Sequence, residues 1–320
     1  MSAGPRERLA VIDVGSNTTR LLLCRRVGPD GPAGERISTI TALRRGAGPD
    51  GTIAPEALER LDAALSAYGE RLRAFGPELV VAVGTSAVRD APNRDEVDRL
   101  VRRHAGVAIT VISGEREAEL AYRGARLAVD GDGPAMVIDV GGGSTELVRG
   151  SAGGPEGAVS LQVGAVRCTE ALLGGDPPAP EQLAALRGAV AGLLPSAFAR
   201  IGGPAPAVGV AGSATTIGAI HLGGYDPDRV HRLRLPTAEV AAIAERLAGM
   251  PLARLRELPG LEPARAPVIV AGATVVATIL EVAGLPDLLV SERDILEGAA
   301  LAALDGSLVS DVTTSVEWPA

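Results

Sequence analysis

Lysine is absent from this 320-residue chain, so all 31 cationic side chains are arginine. A Walker-type phosphate loop and a Schiff-base mechanism both need a lysine, and both are excluded. Aromatic residues are nearly as scarce, with one Trp, three Tyr and two Phe. The core must therefore be built from Ala, Val, Leu and Ile, and the stacking platforms of single-strand nucleic-acid modules cannot be supplied. Acidic side chains outnumber basic ones by 39 to 31, a net charge of −8. That balance also argues against a broad electrostatic footprint on DNA or RNA. Two cysteines, Cys24 and Cys168, form no CxxC, and three histidines, His104, His221 and His231, are scattered. Neither a zinc site nor disulfide stapling is indicated. The uncharged apolar run 268–280 has 13 residues, short of the roughly 20 needed to span a bilayer. The first eight residues are polar and lack the apolar stretch of a secretory signal. The expectation is a cytoplasmic protein with no membrane and no nucleic-acid partner.

What the chain does contain is an internal repeat. Val11-Ile-Asp-Val-Gly-Ser-Asn-Thr-Thr-Arg-Leu21 recurs as Val137-Ile-Asp-Val-Gly-Gly-Gly-Ser-Thr-Glu-Leu147. A weaker echo pairs Val81-Ala-Val-Gly-Thr-Ser-Ala87 with Val208-Gly-Val-Ala-Gly-Ser-Ala214 at nearly the same offset. Two echoes at nearly one offset point to two similar domains in tandem. Each copy reads as a strand (9–14; 136–140), an Asp-x-Gly turn, a second strand (19–24; 145–148) and a third β-rich stretch (37–43; 158–163). In the first half, Pro55 opens a helix whose Leu58, Leu61, Leu65, Tyr68, Leu72 and Phe75 fall on one face. A buried strand over 79–83, a helix capped by Asn93 and running to about 105, and a strand over 107–112 follow. The second half shows helices near 180–200, 237–249 and 264–283 and strands at 207–210 and 288–290. The fold class is α/β, two tandem domains with mixed sheets flanked by helices. The turn cluster Asp130-Gly-Asp-Gly-Pro134 divides them into 1–128 and 129–304, with the last helix free to return to the first domain. Residues 305–320 read as a polar tail, with Trp318 a docking residue.

Each Asp-x-Gly turn sets a carboxylate at a strand end, followed by small residues. Glycine at 15 and at 141–143 lets backbone approach a ligand, and Ser16, Asn17, Thr18, Ser144 and Thr145 add polar side chains. A concave set of N–H groups binds phosphate oxygens without lysine. Asp13 and Asp139 would repel phosphate unless a divalent cation lay between, and Mg²⁺ takes one or two carboxylates and completes its shell with water and phosphate. Either turn alone is adequately explained as a tight hairpin. Together they describe a phosphate clamp around a metal, in a cleft between domains, where ligands tend to sit.

These turns resemble the two phosphate loops of the sugar kinase/Hsp70/actin superfamily. Four further segments are similar to the exopolyphosphatase/guanosine pentaphosphate phosphatase (Ppx/GppA) family: Gly84-Thr-Ser-Ala-Val-Arg89, Ile112-Ser-Gly-Glu-Arg-Glu-Ala118, Gly212-Ser-Ala-Thr215, and Leu258-Pro-Gly-Leu261 leading to Ala271-Gly-Ala273. The resemblance runs in order over nearly the whole chain. It implies two actin-like (ribonuclease H-like) domains and hydrolysis of a terminal phosphoanhydride, of inorganic polyphosphate or of guanosine pentaphosphate, with Mg²⁺ or Mn²⁺ as cofactor. It makes Glu117 the catalytic base, Asp139 and Glu146 the acids around the metal and water, and Arg89 the phosphate-binding arginine. Asp13 joins them as a metal ligand, and Ser16, Asn17, Thr18, Gly142, Gly143, Ser144, Thr145, Gly212 and Ser213 as phosphate-binding residues. Relatives often carry an acid where this chain has Arg116. Long family members add C-terminal helical domains that would begin where this chain stops, so a preference for short polyphosphate chains is expected. A homodimer is allowed.

Arg20, Arg44, Arg45, Arg89 and Arg167 lie in or beside these segments and are candidates to offset the charge of an anionic substrate. Gly46-Ala-Gly-Pro-Asp-Gly51 matches G-x-G-x-x-G but does not open a helix, so it reads as a loop. His221 and His231 read as ordinary polar residues, and Cys24 and Cys168 as buried thiols. Other functions on the same superfold are a small-molecule kinase and a low-turnover polyphosphate or alarmone sensor.

Overall fold

A computed structural model describes residues 8–28 and 31–308. The first seven residues and the end of the chain from 309, including Trp318, lie outside the described residues. Two compact units emerge. One takes in the chain to Leu120 and again from Ile295, and the other runs Ala121–Asp294.

The first unit opens with β1 (Leu9–Val14), whose six residues are all buried, then β2 (Thr18–Gly28) and β3 (Gly31–Ile40). After a loop come α1 (Pro55–Phe75), β4 (Leu79–Gly84), α2 (Ser86–Asp90), α3 (Arg94–Ala105), β5 (Ile109–Val111) and α4 (Gly114–Ala125), whose last residues pass into the second unit. The sheet order is β3-β2-β1-β4-β5, with β2 antiparallel to both its neighbours and β1, β4 and β5 parallel. Continuous apolar runs in β1 and β4 follow from burial on both faces. On one face Ala10, Ile12, Val80 and Ala82 pack against Leu61, Leu65, Tyr68 and Leu72 of α1 and Val97 and Val101 of α3. On the other, Leu9, Val11, Leu79 and Val81 meet Leu120 and the last helix (Ile295–Leu304). Asn93 stands at the N-cap position of α3 but does not cap it. Its amide instead exchanges two hydrogen bonds with the backbone of Ile53, tying the loop before α1 to α3. That loop holds Gly46 and Gly51 in the left-handed region, so the glycine-rich stretch is a loop as its sequence indicates.

The second unit contains β6 (Ala135–Val140), β7 (Thr145–Ser151), β8 (Gly154–Leu161), α5 (Ala165–Leu172), α6 (Pro180–Ile201), β9 (Ala207–Val210) and α7 (Ala211–Leu222). Then follow α8 (Pro227–Val230), β10 (Arg234–Pro236), α9 (Thr237–Ala248), α10 (Leu252–Leu255), α11 (Ala266–Ala283), β11 (Asp287–Val290) and α12, the Ile295–Leu304 helix of the first unit. Its sheet order is β10-β11-β9-β6-β7-β8, again mixed, so the α/β reading with two mixed sheets holds. The third strand of each unit starts earlier than its β-rich stretch suggested, because Gly31 and Gly154 begin the return strands of hairpins. Two helices, α6 and α11, are long and apolar enough by length and composition to cross a bilayer. In α11 that apolarity is used internally: Ile269, Val270, Val275, Val276, Ile279 and Leu280 are all part of the second unit's core.

Candidate active site

In the first unit, Asp13 and Arg20 face each other across the β1–β2 ladder. Side chains directly opposite share one face of the sheet. Arg20 donates from both Nε (3.0 Å) and Nη2 (2.7 Å) to Oδ2 of Asp13, which is 3% exposed. The turn between them is closed by the Gly15 N–H on the Thr18 carbonyl at 3.1 Å. A Cβ on Gly15 would come within 2.9 Å of that oxygen, so glycine is required by packing. The carbonyls of Ser16 and Asn17 accept from the N–H groups of Arg44 (3.0 Å) and Ala42 (2.8 Å). The Asn17 Oδ1 and the Ser86 Oγ are buried with no hydrogen-bond partner among the described residues. Such groups are costly unless a ligand or water completes them.

Helix α2 starts where β4 ends and is tied to the turn by the Thr85 N–H on the Val14 carbonyl (3.2 Å). It carries Arg89, whose Nη1 donates to the Ile112 carbonyl (2.9 Å) and to Oε2 of Glu117 (3.0 Å). Glu117 lies in the first turn of α4 and is 8% exposed. The structure therefore brings Arg89 and Glu117 into one ion pair although 28 residues separate them.

The second unit repeats the geometry with different charges. Asp139 faces Glu146 across the β6–β7 ladder, as Asp13 faces Arg20. Both acids are buried, Glu146 to 1% exposure, and Ser160 Oγ donates to Glu146 Oε1 at 2.7 Å. Like charges directly opposite on a sheet destabilise it unless something positive offsets them. The Gly141 N–H closes the turn on the Ser144 carbonyl at 3.0 Å, the counterpart of Gly15 on Thr18. Behind the turn, the Ala165 N–H holds the Gly141 carbonyl (2.8 Å), and the N–H groups of Val166 (2.9 Å) and Arg167 (3.0 Å) share that of Gly142. Arg167 also donates from Nε to the Gly143 carbonyl at 2.6 Å. With their carbonyls turned towards α5, the small residues of the turn are left to present N–H groups on the other side.

Two of the expected hydroxyl donors are already engaged. Thr145 Oγ1 donates to the Val163 carbonyl (2.6 Å) and Ser213 Oγ to the Val140 carbonyl (3.1 Å). Gly212 backs directly onto the Arg265 guanidinium, whose Nη1 occupies the space a Cβ would need. Ser160 and Arg265 carried no recognisable signal in the sequence, and Ser86 was marked only by its place in the weaker repeat and in the Gly84–Arg89 segment.

The donor set bears on a metal. Among the described residues no three His, Cys, Asp or Glu side chains gather into a cage. Mg²⁺ needs no such cage, since one or two carboxylates suffice when water and phosphate complete the octahedron. The Asp139–Glu146 pair fits that requirement. Asp13 fits it less well, because its Oδ2 already accepts twice from Arg20. The histidines and cysteines are accounted for elsewhere. His221 pairs with Glu239 (3.1 Å) and His231 Nδ1 accepts from the Glu292 N–H (3.3 Å). Burial pushes the Cys168 thiol above its ordinary value despite a backbone hydrogen bond and the nearby Arg167.

An α/β chain with paired Asp-x-Gly turns and a part-buried arginine–glutamate pair is of the phosphohydrolase class. The sequence pattern of the Ppx/GppA phosphatase family matches residues 35–305. The chain belongs to the Ppx/GppA phosphatase family. It is 38% identical over 316 residues to the Mycobacterium tuberculosis protein named exopolyphosphatase 2, covering 92% of this chain and 98% of that one. It is 30% identical to exopolyphosphatase 1 of Mycobacterium leprae, over 93% of this chain and 90% of the relative. The crystal structure of the Aquifex aeolicus Ppx/GppA family member matches with a TM-score of 0.80 and 28% identity, covering 96% of this chain and all of that one.

Proposed function

We propose that this protein is an exopolyphosphatase, hydrolysing the terminal phosphoanhydride of inorganic polyphosphate and releasing orthophosphate. The observation that carries the reading is the Arg89–Glu117 pair at 3.0 Å. It couples a guanidinium suited to phosphate, on a helix tied to the Asp-x-Gly turn through Thr85, with a carboxylate suited to water. The names of the similar mycobacterial proteins support the same substrate class.

Phosphoanhydride hydrolysis passes through a loose transition state, with charge spread over the equatorial oxygens and water attacking in line. In the first unit Ser16, Asn17 and Thr18 offer phosphate backbone N–H groups and polar side chains; in the second Gly142, Gly143 and Ser144 do so, while Thr145, Gly212 and Ser213 contribute backbone alone, the Thr145 and Ser213 hydroxyls being committed to carbonyls. Arg89 offers its fork to a non-bridging oxygen. Glu117 orients the attacking water and takes its proton. Asp139 and Glu146, and secondarily Asp13, would hold Mg²⁺, with Mn²⁺ as a substitute. Bound there, the cation neutralises phosphate oxygens. Guanosine pentaphosphate presents the same terminal group and is the alternative substrate, and the setting is a soluble, cytoplasmic enzyme. The test is phosphate release from tripolyphosphate, long polyphosphate, guanosine pentaphosphate and ATP, with and without Mg²⁺. Release from none of them refutes the proposal, and release from guanosine pentaphosphate alone reassigns the substrate.

A further inference from the structure

Ala42 has a backbone φ of 48°, in the left-handed region that a residue with a Cβ rarely adopts. Such a conformation persists only where the surroundings over-determine it, and it gathers at functional sites. Here the surroundings can be named. The Ala42 N–H donates to the Asn17 carbonyl at 2.8 Å, and the Arg45 N–H returns to the Ala42 carbonyl at 3.1 Å. Arg60 reaches from α1 and donates from Nε to the Thr41 carbonyl (2.8 Å) and from Nη2 to the Ala42 carbonyl (3.1 Å). Two residues on, the Arg44 N–H holds the Ser16 carbonyl at 3.0 Å.

The consequence falls on the Asp-x-Gly turn. In a planar trans peptide the C=O and the following N–H point opposite ways. Holding the Ser16 carbonyl against Arg44 therefore turns the Asn17 N–H away from that segment. In the second unit this work is done by regular structure, the first-turn N–H groups of α5 gripping the Gly141 and Gly142 carbonyls. In the first unit an irregular stretch does it, and its bend is the strained one at Ala42. We propose that Arg60 is a positioning residue for phosphate binding: its two-pronged grip on the Thr41 and Ala42 carbonyls keeps Ala42 left-handed, and residues 42–44 in turn fix the peptide planes of Ser16 and Asn17. The inference rests on the reading of that turn as a phosphate-binding element. Arg60 itself touches no substrate.

Glycine provides the discriminating experiment, because it adopts positive φ without steric cost. The full chain is compared with Arg60→Ala and Arg60→Lys, each with and without Ala42→Gly. Phosphate release from tripolyphosphate, orthophosphate affinity by calorimetry and melting temperature are measured for each. Arg60→Ala should raise KM and the orthophosphate Kd about tenfold, equivalent to about 1.4 kcal/mol, with a smaller change in kcat. Arg60→Lys keeps the charge but not the planar fork, and should lose about as much. Adding Ala42→Gly should restore affinity in either background to within about threefold of the parent. The proposal is overturned if Arg60→Lys binds like the parent, since charge alone would then explain the residue. It is equally overturned if Ala42→Gly restores nothing, or if Arg60→Ala only lowers the melting temperature. Should Arg60→Ala fail to fold, the Lys pair decides by the same criteria. A parent that releases no phosphate from any polyphosphate sinks the functional reading and this inference together. An active parent with unchanged Arg60 variants sinks this inference alone.

Discussion

Replacing Glu117 with Gln keeps the side chain's size and leaves an oxygen to accept from Arg89 Nη1, now 3.0 Å from the carboxylate. What disappears is the ability to take a proton. A positioned general base contributes about 10² to 10⁴ in rate, or about 2.7 to 5.4 kcal/mol of barrier. The folded state should lose far less. Arg89 retains its bond to the Ile112 carbonyl, so its charge is not left without an acceptor. Converting one charged hydrogen bond to a neutral one costs about 1 kcal/mol. For a chain of 320 residues that lowers the melting temperature by only about 1.5 °C. The assay is kcat and KM for tripolyphosphate alongside thermal unfolding of the same preparation. The expected pattern is a fall in kcat of at least about a hundredfold, with orthophosphate binding retained. Hydrolysis at the parental rate refutes the assignment of the base. A loss of activity that tracks unfolding assigns Glu117 a structural role instead.

Three further outcomes follow from the same geometry. Asp139→Asn and Glu146→Gln should each raise the Mg²⁺ concentration needed for half-maximal phosphate release, and Asp13→Asn should raise it less, because Asp13 is held by Arg20; equal shifts in all three would contradict the asymmetry between the turns. Gly164→Ala puts a Cβ 2.6 Å from both the Gly142 carbonyl and the Ser144 nitrogen, which overpacking at about 1 to 3 kcal/mol should register in both kcat/KM and melting temperature; a silent variant would mean the turn is not held where it is described. Cys168 should resist a neutral-pH alkylating reagent until the protein unfolds, since burial keeps it a thiol rather than a thiolate; mass spectrometry of the native and denatured protein checks this.

Much of this protein can be read from its residues in order. The strands over 9–14 and 207–210 and the helix from Pro55 stand where their hydrophobic runs and periodicity put them, because burial patterning is local information. The twin Asp-x-Gly turns are visible as a repeat, and so are the acids and glycines within them. Which charge meets which is another matter. That Asp13 is neutralised by Arg20 while Asp139 opposes a second acid follows from strand register. The meeting of Arg89 with Glu117 depends on where α2 and α4 leave the sheet. The ion pair of Arg36 with the buried Glu297 joins positions 261 residues apart. Thr145 and Ser213 look like free hydroxyls in a linear reading and prove to be committed to carbonyls that only the folded chain delivers. A sequence specifies which groups must be buried, but the partner that satisfies each buried charge or hydroxyl is set by chain segments that meet only after folding.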